Sequence, residues 1–385
     1  MLAATQNLET KMTTKTPVDP NGLMEFSVVF TDRSLNHMSK SFQGVMTDIS
    51  SMLGEVYSAD EVALVPGGGT FAMEAVARQF GGGAHALIVR NGWFSYRWSQ
   101  IFEAGNFAAK TTVMKARQAG NDTRAPFAPA PIEDVVAAIR EAKPDVVFAP
   151  HVETSAGMIL PDDYLKAMSD AAHEVGALLV LDCIASGCIW VDMKATGVDV
   201  LISAPQKGWS ATPSAGLVMM SARAAARLAE TTSDSFSMDL KKWRAIMVAY
   251  EEGGHAYHLT MPTDGLRAFR DTMAETKDYG FEKLKAAQWD LGRKVRAILE
   301  AKGIKSVAAE GFQAPGVVVS YTDDPAVQNG SAFVAKGMQI AAGVPLQCDE
   351  PADFRTFRLG LFGLDKLYDV DGTVGRLTPV LDAVL

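Results

Sequence analysis

The run Ala177-Leu178-Leu179-Val180-Leu181-Asp182 decides how this chain is read. Five apolar residues in succession, with no polar alternation, fit a short strand covered on both faces. An acid closes the run, so Asp182 is expected at the carboxyl end of a buried strand. Similar runs recur on either side: Val62–Val65, Ala86–Val89, Val113–Met114, Val146–Ala149, Val200–Ser203 and Leu217–Met220. Between them lie segments of helical period, among them Phe71–Phe80, Ile132–Ala142, Tyr164–Glu174 and Ala222–Glu230. This alternation over some 200 residues predicts an open α/β domain with a largely parallel sheet.

Beyond Gly265 the pattern changes. Leu266–Ala301 reads as helix with an interruption at Tyr279-Gly280. A strand is expected at Val317–Tyr321, a helix at Ser331–Ala342, a strand at Phe357–Phe362 and a last helix towards Leu385. The resulting division is a polar, threonine-rich arm over 1–22, a large domain over 23–265, and a connecting helix with a small α+β domain over 266–385.

Composition excludes several classes. The chain has 385 residues, 48% of them apolar, so enough surface can be buried to offset the entropy of ordering. With 36 basic against 45 acidic residues the net charge is −9, and no basic run occurs. Nucleic acid and membrane surfaces are therefore not expected partners. No stretch approaches the roughly 18 uninterrupted apolar residues of a membrane span. Three cysteines, Cys183, Cys188 and Cys348, imply no disulfide framework and suit a reducing, cytoplasmic setting. No histidine stands at ligand spacing from them, so no metal site is expected. His151 and His258 read as hydrogen-bonded structural groups.

Four local features carry chemistry. Pro66-Gly67-Gly68-Gly69-Thr70 follows a strand and opens a helix, where free N–H groups and the helix dipole favour an anion. The spacing is neither GxGxxG nor a P-loop, and a plain strand-to-helix turn is the alternative reading. Asp182 stands at the strand edge where open α/β sheets bind ligands, though an aspartate there can also cap a helix. Lys207 follows Val200–Ser203 through Ala204-Pro205-Gln206 and precedes Gly208-Trp209. A lysine there, with no acidic neighbour in sequence, can be desolvated and nucleophilic, or simply solvated. Arg358 lies inside the apolar strand Phe357–Phe362 and calls for an anionic partner, structural or substrate.

A glycine turn, an acid ending a strand, a lysine 25 positions later and a C-terminal arginine occur in that order. Together with Val180-Leu-Asp-Cys-Ile-Ala-Ser-Gly187, Ser203-Ala-Pro-Gln-Lys-Gly-Trp-Ser210, Pro150-His-Val-Glu-Thr-Ser-Ala-Gly157 and Phe357-Arg-Leu-Gly-Leu-Phe-Gly363, the chain resembles class V aminotransferases of the alanine/serine–glyoxylate type. The resemblance extends from about Asp32 to the C-terminus. It implies an α/β fold of the pyridoxal-phosphate (PLP) transferase type I, with a mostly parallel seven-stranded sheet and a smaller C-terminal α+β domain. It also implies PLP as cofactor, small amino acid and 2-oxo acid substrates, and a homodimer with shared active sites. By this likeness Lys207 is the Schiff-base lysine and Asp182 the partner of the pyridine nitrogen. Gly68, Gly69, Thr70 and Gln206 would serve the phosphate. Phe94 would stack on the ring, Ser155 would stand near its O3′ side, and Arg358 would take the substrate carboxylate. Tyr257 and Thr260, in Tyr257-His-Leu-Thr-Met-Pro262, would reach the phosphate of the neighbouring subunit.

The chain departs from the family at its N-terminal side. Where members carry a Gly-Pro-Gly-Pro-like wall followed by His-Arg-Ser, it has Gly22-Leu-Met-Glu-Phe-Ser-Val-Val-Phe30 and Asp32-Arg33-Ser34. Two other readings are a lyase of the cysteine desulfurase type and a non-catalytic α/β ligand-binding protein. The lyase reading expects histidine before the lysine and on the ring, where Gln206 and Phe94 stand, and a cysteine on a mobile loop.

Overall fold

The computed structural model describes residues 18–385, so most of the arm expected over 1–22 lies outside the described residues. Each apolar run of the first half becomes a strand of one sheet. These are β1 (Glu61–Pro66), β2 (His85–Arg90), β3 (Lys110–Lys115), β4 (Val146–Pro150), β5 (Leu178–Asp182), β6 (Val200–Ser203) and β7 (Ala215–Met220). Their spatial order is β1-β7-β6-β5-β4-β2-β3. The pairs β6–β5, β5–β4, β4–β2 and β2–β3 are parallel, whereas β7 runs antiparallel to both β6 and β1. The sheet is mostly parallel and seven-stranded, as expected.

Every residue of β4, β5, β6 and β7 is buried. Because successive side chains point to opposite faces, both faces are covered, and this explains the missing polar alternation. Full burial of each Leu or Val is worth about 1.5–3 kcal/mol, so the register of β5 is firmly held. That register sets Asp182 beside Ile202 of β6 and Pro150 of β4, at the carboxyl edge of the sheet.

The longer helices are α1 (Lys40–Tyr57), α2 (Gly69–Gly81), α3 (Trp93–Gly105), α4 (Ile132–Ala142), α5 (Asp162–Glu174), α6 (Ala222–Glu230), α7 (Leu240–Glu251), α8 (Thr263–Tyr279), α9 (Phe281–Ala301) and α10 (Val370–Val384). α1, α3 and α7 are absent from the sequence expectation. α1 had a readable signal: the Ser39 side chain accepts from the Phe42 N–H, and Phe42, Val45, Met46, Ile49, Met52 and Leu53 form the buried stripe. The expected break at Tyr279-Gly280 is present, with Gly280 at φ 109° between α8 and α9.

At the C-terminal side β8 (Val317–Tyr321), β9 (Ala341–Ala342) and β10 (Thr356–Gly360) form an antiparallel sheet in the order β8-β10-β9. Here one expectation fails. The helix anticipated over Ser331–Ala342 stops at Val334. Gly337 takes φ 77°, a left-handed conformation that ends a right-handed helix, and Ala341–Ala342 instead cover the edge of β10.

Candidate active site

Because β1, β2, β5 and β6 point the same way, their carboxyl ends lie along one edge, followed respectively by α2, α3, the Asp182 loop and the Lys207 loop. Asp182 is buried, and its Oδ1 accepts from the Ile184 N–H at 2.9 Å. No other protein donor meets this carboxylate among the described residues. Burial pushes its pKa up to about 6 against the pull of that N–H, Arg97 and Lys207. A buried carboxylate with so few donors calls for a cationic or N–H partner from a ligand.

Lys207 is half-buried, with Nζ 5.5 Å from the centroid of the Phe362 ring. Burial first, and then the charges of Arg358 and Arg97, lower its pKa, while Asp182 acts the other way. Such an amine is easier to deprotonate, as a nucleophile or proton carrier must be. The loop holding it is fixed by Gly208, where a Cβ would overlap the Gly187 carbonyl. Trp209 is buried behind the lysine against Trp190, their rings 4.8 Å apart.

The two helices that start on this edge end differently. α3 carries its own anion. The Glu153 carboxylate, fully buried, accepts from the N–H groups of Phe94 (3.2 Å), Ser95 (2.9 Å) and Ser155 (3.0 Å) and from the hydroxyls of Ser95 and Ser155 (both 2.7 Å). The Ser155 hydroxyl also accepts from the Trp93 N–H at 2.9 Å. Gly92 is needed there because a Cβ would overlap Ser155 Oγ.

α2 has no such cap. Gly68 at its N-cap offers no side chain, and the N–H groups of Gly68, Gly69 and Thr70 find no protein acceptor among the described residues. A Cβ on Gly68 would meet nothing within 4 Å, so space adjoins the turn. At Gly69 a Cβ would overlap the Ile184 side chain, so glycine lets α2 start against the loop after Asp182 without displacing it. The result is an uncapped helix N-terminus, which attracts anions, set beside a buried acid.

Phe94, on the first turn of α3, has two guanidinium groups near its ring. Arg97 Cζ is 5.3 Å and Arg358 Cζ 5.5 Å from its ring centroid. Arg358 sits on β10, where its Nε donates to the Ala342 carbonyl at 2.7 Å. The fold thus brings together Gly68, Gly69, Thr70, Phe94, Asp182, Lys207 and Arg358.

Other expected residues stand differently. Gln206 is exposed next to Lys207. Ser155 is near, but its hydroxyl is committed to Glu153 and the Trp93 N–H. Tyr257 and Thr260 bond each other at 3.1 Å, and Tyr257 packs on His37; no hydrogen bond joins either to the residues around Lys207. His151 shares a 2.7 Å hydrogen bond with Ser186, and burial pushes its pKa down to about 3, leaving it neutral.

Sequence reasoning missed Arg97 and Glu153. Arg97 lies three residues after Phe94, one helical turn on, a signal that requires recognising α3. Glu153 stands inside the quoted stretch Pro150–Gly157, two residues before Ser155.

A sequence profile of the family described as Aminotransferase class-V matches residues 25–344. A 2-aminoethylphosphonate–pyruvate transaminase from Paraburkholderia phymatum is 27% identical over 359 residues, spanning 90% of this chain and 89% of that protein. Among solved structures, an aspartate aminotransferase of subgroup IV from Thermus thermophilus superimposes with a TM-score of 0.73 at 25% identity, covering 91% of this chain and 93% of that one. An alanine–glyoxylate aminotransferase from Nostoc sp. has the same fold, with a TM-score of 0.73 at 23% identity over 91% and 89% of the two chains. This chain belongs to the class-V aminotransferase family: it is a transaminase.

Proposed function

We propose that the chain is a PLP-dependent aminotransferase that moves an amino group from a small amino acid, such as alanine or serine, to a small 2-oxo acid, glyoxylate or pyruvate, in two half-reactions. The observation that carries this is the convergence at one sheet edge of an uncapped helix N-terminus, a buried acid of raised pKa and a lysine of lowered pKa. These suit the three polar handles of PLP: phosphate, ring nitrogen and aldehyde. Among the relatives, the transaminase from Paraburkholderia has pyruvate in its name, which supports a small 2-oxo acid as acceptor.

Bound PLP supplies a conjugated electron sink for the bonding pair at the substrate Cα. The rest falls to the chain. Gly68, Gly69 and Thr70 bind the phosphate through N–H groups, with Gln206 beside them. Asp182 holds a proton on the ring nitrogen. Phe94 would pack against the ring, and Ser155, bonded to Glu153 and the Trp93 N–H, helps to fix the start of α3. Arg358 binds the substrate carboxylate and so orients the Cα–H bond. Lys207 would hold the aldehyde carbon of the bound cofactor, and its Nζ, of lowered pKa, would take the substrate Cα proton and return it. Tyr257 and Thr260 serve the partner's site in a homodimer, which fits their exposed position. The large domain over 23–265 supplies the cofactor handles, and the part over 266–385 supplies Arg358.

The desulfurase reading lacks a suitable thiol. Cys348 is 4% exposed, donates to the Arg90 carbonyl, and is pushed up to about 12 by burial. The purified protein should be yellow, its visible band should vanish on borohydride reduction, and the reduced adduct should map to Lys207. Amino donors screened against glyoxylate, pyruvate and 2-oxoglutarate then define the pair. A colourless protein that ignores added PLP, or one inactive with every pair, overturns the proposal.

A further inference from the structure

Arg97 is the cation of this edge to which the functional reading gives no task. It is half-buried on α3, and among the described residues it makes no salt bridge, its charge being felt by Asp182 only at longer range. Its one hydrogen bond runs from Nη1 to Thr70 Oγ1, at 3.0 Å. That bond fills an acceptor position on the threonine oxygen, so the Thr70 proton is free to be donated elsewhere. A guanidinium has five N–H donors, and the rest of them have no protein acceptor either. Arg97 therefore adds donors and a full positive charge to a helix N-terminus that already lacks an acceptor.

The position of Arg97 is well fixed. Glu153 pins the first turn of α3 through two backbone N–H groups, and the Phe94 ring lies against the guanidinium at 5.3 Å. Arg358 lies 5.5 Å from the same ring centroid. Glu153 makes no hydrogen bond to either guanidinium: its oxygens accept from five other donors, and its charge acts on Arg358. In the functional reading above, Arg358 takes the substrate carboxylate. Arg97, bonded to Thr70, keeps its charge and its remaining donors beside the uncapped N-terminus of α2.

We propose that Arg97 binds the cofactor's phosphate, completing the set formed by Gly68, Gly69 and Thr70. This rests on the PLP reading above. The test compares PLP with pyridoxal, which lacks the phosphate, by titrating the full-length apoprotein and following tryptophan fluorescence and visible absorbance. In R97M the Kd of PLP should rise at least about tenfold, the loss of a charge-assisted contact, while that of pyridoxal stays within twofold. R97K should recover part of the difference, since lysine keeps the charge without the fork. An unchanged PLP affinity in R97M overturns the proposal, and so does an equal loss for PLP and pyridoxal, which would mark a purely structural role. If R97M instead raises KM for a substrate at unchanged PLP affinity, Arg97 belongs to substrate and the proposal falls. A wild-type protein that fails to prefer PLP over pyridoxal refutes the underlying cofactor reading rather than Arg97 alone.

Discussion

Replacing Asp182 by asparagine separates the charge of this residue from its shape. Burial raises the folded-state pKa of its carboxyl from an ordinary 3.8 to about 6. The folded chain thus binds this proton more tightly than the unfolded chain does. By linkage, the stability tied to the protonated form is complete below pH 3.8 and is lost as the pH climbs through 6. The whole step corresponds to roughly 3 kcal/mol, of which about 2 kcal/mol falls between pH 4.5 and 7.5. At neutral pH the cofactor-free protein therefore carries a buried carboxylate met by one backbone N–H. Asparagine can still accept from the Ile184 N–H but has no charge to desolvate. In reversible urea unfolding of the apoproteins, D182N should gain about 2 kcal/mol on wild type between pH 4.5 and 7.5. Titrating groups not coupled to Asp182 are common to both proteins and cancel in the difference. Excess PLP should narrow or reverse the gap, because only the aspartate gains an ionic partner. A stability difference between variant and wild type that does not change with pH refutes the burial argument.

Glu153→Ala leaves three N–H groups and two hydroxyls without their acceptor and should cost at least about 3 kcal/mol, read from urea or thermal unfolding. Gly69→Ala forces a methyl onto Ile184; a loss of about 1–3 kcal/mol together with weaker PLP binding is expected, and full affinity would show that the first turn of α2 can retreat. Arg358→Ala should raise KM for carboxylate substrates by roughly ten- to a hundredfold with PLP affinity unchanged, and an unaltered KM removes it from the site. K207A and Y257A, each inactive alone, should recover roughly one quarter of wild-type activity after subunit exchange if the sites are shared, the statistical share of intact sites in a mixed dimer population; no recovery places Tyr257 in its own subunit's work, and a Y257A active by itself places it in none.

What could be read beforehand follows from where the information is stored. The strands carrying Asp182 and Lys207 are buried on both faces, so unbroken apolar runs mark them, and the residues that end those runs fall on the ligand edge. α3 has no such mark. It starts at a glycine without a side-chain cap, and its Trp93, Phe94, Tyr96 and Trp98 are spread over buried and half-buried positions, so no clear stripe appears. Its N-terminal anion is Glu153, 58 and 59 residues from the N–H groups it caps, and local sequence rules do not see a contact of that range. Arg97 was hidden for the same reason. The failed helix over Ser331–Ala342 is a different case: its apolar spacing was genuine, but Gly337 and the bare edge of β10 outweighed propensity.

The contrast between the two helix N-termini bears on how a protein of net charge −9 can hold anionic ligands. Both termini offer the same dipole and the same free N–H groups. At α3 the chain spends a carboxylate on them permanently, and the fully buried Glu153 makes α3 a fixed support for Phe94 and Arg97. Were Glu153 free to turn outward, it would neutralise the very cations that ligands need. At α2 no side chain competes, and glycine at the cap leaves both the donors and the space beside them open. The edge therefore concentrates positive potential through Arg97, Arg358 and an uncapped helix, while its own acids are sequestered. Glu153 is locked by five donors, and Asp182, its pKa pushed up to about 6 by burial, is met by one backbone N–H and is left to face a cationic ligand atom. Net charge is then irrelevant to binding, because the field within a few ångströms of the ligand is set by which acids are held and which cations are left without partners.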